Sequence, residues 1–185
     1  MALPRVKQMT AQEFDDWTLL PQNSDGLFEY IDGEIVEVPS NPYASQISQI
    51  IAGEFYIFLK GKDLGHLTGE AGGYKVSGER YAPDVGFISK IRQAELNRRG
   101  YNEVPPDLAV EVDYPSTAQS QQALFTKIVN YLAAGTTVWR FLPETKTVEV
   151  YAPGQPKRTL GIDDELDGGE ILPGFKLLIR DVFKD

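Results

Sequence analysis

Residues 106 to 116, PDLAVEVDYPS, restrict what this chain can fold into more than any other stretch. Leu108, Val110 and Val112 alternate with Ala109, Glu111 and Asp113. A period of two with β-forming apolar members is the pattern of a strand. Alternation sets the Leu-Val-Val face opposite a face that carries Ala109, Glu111 and Asp113. A central strand usually presents apolar side chains on both faces, so two neighbouring carboxylates need a partner. A carboxylate pair at a strand end can hold a divalent cation. Pro115 ends the strand, and Ser116 or Thr117 is suited to cap a following helix.

Two other residues join this site. The short apolar run Pro83-Asp84-Val85-Gly86-Phe87-Ile88 brings a second acid, Asp84, into a strand spanning residues 82–89. The helix expected over residues 117–134 contains Lys127, and Gly135 closes it. At about 100° per residue, Leu124, Ile128 and Tyr131 form its apolar stripe, with Lys127 on the flank beside Ala123. Geometry leaves two choices for this lysine. It snorkels to solvent, or its stem runs along the sheet and places the ammonium near Glu111. Hydrolysis of a phosphodiester needs an ion that polarises the phosphate, an activated water and neutralisation of developing charge. Asp84 and Glu111 are the metal-ligand candidates if their strands are adjacent, and Lys127 is the candidate cation for the scissile group. Asp113 is a secondary candidate on the same face as Glu111, expected to add a third carboxylate. Glu70 is another, from the glycine-rich β region 65–77.

The remaining chain supplies a scaffold. Thr10 and Glu13 form a capping box ahead of Phe14 and Trp17. Residues 28–38 read as a hairpin around Asp32-Gly33, a strong two-residue turn signal. Glu29 and Glu34 flank that turn and read as its solvated edges. Ile47, Ile50, Ile51, Phe55 and Phe58 recur at helical spacing before Gly61. The lone His66 reads as a surface or strand residue. Residues 90–104 read as a helix-loop excursion, 136–142 and 147–151 as a hairpin, and 163–170 as an acidic surface loop. Residues 171–183 read as one more strand or apolar segment. The order implies an α/β chain with one mixed sheet and helices on both sides.

Composition narrows the class. The length of 185 residues suits a single domain with a real core. The absence of cysteine excludes disulfides, thiolate metal sites and cysteine nucleophiles. There is no apolar run of about 18 residues, and the N-terminus lacks a signal peptide's apolar core. These features fit a cytoplasmic protein without a membrane span. The net charge of −9 opposes tight duplex binding unless basic residues cluster locally.

The segments FEYIDGEIVEVPS, APDVGFISK, PPDLAVEVDYPST and TKIVNYLAAGTTVWRFLP, in this order, resemble the Uma-two family of bacterial restriction-endonuclease-like proteins. That family lies within the PD-(D/E)XK nuclease superfamily. The match runs from about Thr10 to Phe183. The resemblance implies an αβββαβ core, Asp84 and Glu111 as ligands of Mg2+ or Mn2+, and nucleic acid, DNA above all, as the partner. In the superfamily a lysine normally follows the glutamate by two residues, where this chain has Asp113. The family often carries it on the next helix instead, which Lys127 matches. Three departures stand out. Tyr114 replaces a small residue, no histidine occurs around Ala44-Ser45, and Gln121 and Gln122 stand where an acid often precedes the helix lysine. A non-catalytic descendant that binds nucleic acid or protein is therefore the alternative reading. Superfamily members often dimerise, and Ile171 to Phe183 suits either a core or a homodimer interface.

Overall fold

The computed structural model describes residues 9–23, 26–37, 41–114 and 118–183. The capping box forms: Glu13 N–H donates to Thr10 Oγ1 at 3.2 Å, and Thr10 N–H donates to the Glu13 carboxylate at 2.7 Å. Helix α1, Ala11–Thr18, follows and buries Phe14. Strands β1, Phe28–Ile31, and β2, Glu34–Glu37, make the expected hairpin. Asp32 and Gly33 both take positive φ, 52° and 84°, as a two-residue turn of this hand requires. The expected last hairpin residue, Val38, lies outside the described residues, as do Pro115, Ser116 and Thr117. Asn41 caps α2, Pro42–Leu59, accepting from Tyr43 N–H and Ala44 N–H at 3.1 Å each, with Pro42 in the first turn.

The glycine-weakened region 65–77 divides into two strands that enter different sheets. Strand β3, Gly65–Gly69, stops before Gly72-Gly73, and β4, Tyr74–Val76, pairs with β5, Glu79–Tyr81, through the Ser77-Gly78 turn. The strand expected over 82–89 begins only at Val85: β6 is Val85–Ser89. Side chains claim the backbone just before it, since Ala82 N–H donates to Glu29 Oε1 at 2.8 Å. The helix expected within 90–104 is absent; the segment is turns and bends. It lacks an apolar stripe. Asn102 holds it instead, donating from Nδ2 to Gln93 Oε1 at 2.6 Å and to Val104 O at 2.8 Å.

Strand β7, Leu108–Val112, is the strand implied by the alternation, and α3, Ala118–Ala133, crosses from it to β8, Thr137–Leu142. Strands β9, Thr147–Tyr151, and β10, Arg158–Leu160, extend the sheet. The acidic loop is partly a strand: β11, Glu165–Asp167, pairs with β12, Lys176–Leu178, ahead of α4, Ile179–Val182.

The expected single sheet is in fact three. The mixed one has six strands in the order β10-β9-β8-β7-β6-β3, with β7 and β8 parallel and every other pair antiparallel. A four-stranded antiparallel sheet, β2-β1-β5-β4, and the β11–β12 pair complete the set. Alternation along β7 separates two cores. Leu108 and Val110 join Ile47, Ile51 and Phe55 of α2 with Trp139 and Phe175. Ala109 joins Leu124, Ile128 and Tyr131 of α3 with Ile31, Tyr74 and Tyr81 of the four-stranded sheet. The C-terminal segment belongs to the first core: Leu172, Phe175, Ile179, Val182 and Phe183 are all buried in it. Helices thus lie on both sides of the mixed sheet. No helix among the described residues is long and apolar enough to cross a membrane.

Phe175 anchors the far end of the first core. Its ring centroid lies 4.7 Å from Phe55, 5.4 Å from Phe58 and 6.0 Å from Trp139. Phe175→Ala should lower unfolding stability by about 3–5 kcal/mol, read by urea denaturation followed through tryptophan fluorescence. A loss of only about 0.5 kcal/mol, the scale of a surface change, would remove the C-terminal segment from the core.

Candidate active site

The parity that sends Val110 into the first core sends Glu111 to the opposite face, beneath α3. Lys127 comes down from α3 to meet it. Its Nζ donates to Glu111 Oε2 at 3.0 Å and to Glu29 Oε1 at 2.8 Å. All three residues are nearly closed to solvent, at 7%, 6% and 6% exposure for Glu111, Lys127 and Glu29. The geometric choice for Lys127 is therefore resolved: the stem lies along the sheet and the ammonium is buried.

Glu29 corrects the sequence reading, in which it was a solvated hairpin edge; only Glu34 is exposed. On β1, Glu29 shares the parity of Ile31, which sits in the second core. Its carboxylate faces inward and accepts from both Lys127 and Ala82 N–H. The usable signal was that parity, which a three-residue alternation carries weakly.

Asp84 precedes β6, whose Val85 pairs with Val110. Continuing that register sets Asp84 opposite Glu111, on the same face of adjacent strands. Asp84 Oδ2 accepts from Val112 N–H at 2.6 Å. Gly69 of β3 pairs with Val85, so Glu70 continues the row beyond Asp84, exposed at the rim. Asp113, expected to add a third carboxylate beside Glu111, is held by Arg140 instead, whose Nε donates to its Oδ2 at 2.8 Å. Arg140 also donates to Glu149 at 2.9 Å. Arg140 was missed in the sequence. It shares the inward parity of Val138 on β8 and stands next to Glu111 in the β7–β8 register.

Electrostatics follow from burial. Glu111 is pushed up to about 8, first by burial and then by the nearby Glu29 and Asp84 carboxylates, against the pull of Lys127. Burial alone would depress the Lys127 ammonium. Glu111 and Glu29 more than offset it and hold the lysine above its ordinary range. Asp84 is raised by burial, with Glu29 and Glu70 adding to the shift, while the Val112 N–H and Lys127 oppose it. One buried cation thus faces three carboxylates, an excess that a proton or a second cation relieves.

The donor set suits a hard divalent ion. Glu111 Oε1 is buried and has no hydrogen-bond partner. Magnesium needs only one or two carboxylates and retains waters. Among the described residues no three acidic or histidine side chains converge into a fuller cage. Asp84 and Glu111, opposite each other on adjacent strands, are the residues that could hold such an ion. His66 is not among them; its Nε2 is 2.9 Å from Ala94 O.

These features define a restriction-endonuclease-like fold with an acid–acid–lysine cluster at its central strands. The chain belongs to the Uma2 family, described as "Putative restriction endonuclease", whose family model matches residues 11–180. A crystal structure titled as that of "a putative nuclease belonging to DUF820" from Anabaena variabilis ATCC 29413 is similar in fold. The similarity covers 95% of this chain and 97% of that one, with a TM-score of 0.78 and 22% sequence identity. No curated protein matches.

The Glu111 shift sets a sign for stability against pH. Between its ordinary value of 4.5 and about 8, the native state keeps a proton that the unfolded chain has lost. Stability therefore falls as pH rises through that window. Glu111→Gln, a neutral mimic of the protonated acid, should flatten this fall in melting temperature. Parallel pH profiles for parent and variant would contradict the shift.

Proposed function

We propose that this chain is a divalent-cation-dependent endonuclease that hydrolyses phosphodiester bonds of nucleic acid, DNA first. It acts as one domain in a reducing compartment such as the cytoplasm, which a cysteine-free sequence suits. The observation that carries this reading is the contact of Lys127 Nζ with Glu111 Oε2, 3.0 Å long, beside an unpartnered Oε1 of the same carboxylate. Family membership supports it.

Asp84 and Glu111 would hold Mg2+ or Mn2+, which supplies a polarised phosphate and a more acidic water. The chain's own residues then have separable tasks. Glu29 fixes Lys127 in its charged form and restrains the stem. In this reading the ammonium donates to a non-bridging phosphate oxygen or to the attacking water when substrate enters. Hydrolysis forms one P–O bond from water and breaks the ester P–O bond. The water's proton is lost to a base, and the departing sugar oxygen gains one.

One observation favours a non-catalytic descendant: Lys127 and Glu111 are almost closed to solvent. In that reading the triad is a structural ion pair, and the fold binds nucleic acid or protein without cleaving it.

A cleavage assay on single- and double-stranded DNA and RNA with Mg2+ or Mn2+ separates the two. Lys127→Met alone strands two buried carboxylates and should cost roughly 3–5 kcal/mol of stability. Lys127→Met with Glu29→Gln removes the Lys127–Glu29 pair, keeps an acceptor for Ala82 N–H and leaves Glu111 as the one carboxylate without its cation. In this double variant cleavage should fall at least about tenfold, or about 1.4 kcal/mol of barrier, while thermal melting shows a folded protein. Undiminished cleavage would take Lys127 out of the reaction. A parent without cleavage on any of these substrates would favour the non-catalytic reading.

A further inference from the structure

Among the described residues of this acidic chain, four arginines, Arg80, Arg92, Arg140 and Arg180, bind a carboxylate. Three, Arg98, Arg99 and Arg158, carry no side-chain partner. Arg98 and Arg99 are exposed. Both line a cavity of about 310 Å³ with Thr68, Gly72 and Gly73. Two of its residues, Gly72 and Gly73, are packed so closely against Thr68 and Tyr101 that neither has room for a side chain. A Cβ on Gly73 would lie 2.3 Å from a Tyr101 ring carbon, and one on Gly72 would lie 2.8 Å from Thr68 Cβ.

This cavity leads to the acidic row. It shares Ala71, Gly73 and Gly100 with a neighbouring cavity of about 300 Å³ that reaches Glu70. Glu70 continues β3 beside Asp84. Glu70 lies two residues beyond Thr68, in the turn that ends β3. Successive phosphates on one strand of a duplex advance roughly 3.4 Å along its axis.

We infer that Arg98 and Arg99 form a phosphate subsite. It seats the backbone of a nucleic-acid strand a few nucleotides from the bond placed at Asp84 and Glu111. A guanidinium fork matches phosphate oxygens in pairs. With a net charge of −9, the chain as a whole repels a polyanion. Docking then depends on a local pair of free cations. The position of the scissile bond rests on the nuclease reading; the phosphate seat itself requires only a polyanionic strand.

Fluorescence anisotropy with a fluorescein-labelled DNA duplex and the corresponding single strand, over a salt series, tests this. Arg98→Ala with Arg99→Ala should raise Kd at least tenfold for the bound form. It should also make the log–log salt slope shallower by about 1.8 for a duplex, roughly 0.9 per lost phosphate contact. Arg158→Ala is the control for bulk charge. Arg158 is exposed on β10, at the opposite edge of the mixed sheet. That variant should change neither quantity. Unchanged affinity and slope in the double variant overturn the subsite even if the parent cleaves, which leaves the nuclease reading intact. A parent that binds neither strand also overturns it. Arginine-dependent binding without cleavage upholds the subsite and removes the catalytic reading.

Discussion

The buried ammonium of Lys127 is the interaction on which the rest depends. It joins β1 of the four-stranded sheet, β7 of the mixed sheet and α3 through two hydrogen bonds, 2.8 and 3.0 Å long. Burying one such charge costs several kcal/mol, and only close, hydrogen-bonded counter-charges compensate. Glu29 and Glu111 supply them from different sheets, so the ion pair fixes how the sheets meet. A hydrophobic triple of similar size could pack there with less cost.

The surrounding structure fits this requirement. Ala109, two residues before Glu111 on the same face, is fully buried and leaves room for α3. Gly86 pairs with it on β6. A Cβ there would approach Thr68 Oγ1 to 2.7 Å and the Tyr74 ring to 3.0 Å. Small residues at the centre thus admit the large ones that roof the site. Lys127 lies 5.7 Å from the centroid of the Tyr81 ring, whose hydroxyl accepts from Asn130 on the next turn of α3. On the opposite face of the sheet, α2 and the C-terminal aromatic residues supply ordinary apolar packing. Charge sits on one face of β7 and apolar mass on the other, as its alternation dictates.

That asymmetry explains what could be read in the sequence. The β7 strand, the crossover helix, the Asp32-Gly33 hairpin and the capping box all rest on local signals, and each formed. Asp84 and Lys127 were found because an acid interrupts an apolar run and a lysine flanks an apolar stripe. Glu29 was not, because a four-residue strand cannot show which face is inward until a second sheet covers it. Asp113 looked equivalent to Glu111 by parity. Its capture by Arg140 depends on the parallel β7–β8 register, a long-range fact. The division of residues 65–77 between two sheets is likewise invisible to a local pattern, though Gly72-Gly73 marks where it happens.

In the proposed nuclease site, Asp84 and the unpartnered Oε1 of Glu111 would seat one divalent cation beside the Lys127 ion pair. Calorimetric titration of Mn2+ into the parent and into Asp84→Asn tests it most directly, independently of any cleavage. One saturable site is expected in the parent and at least a tenfold weaker one in the variant, with the fold unchanged by circular dichroism. Equal binding by the two proteins, or no binding by the parent, would contradict it.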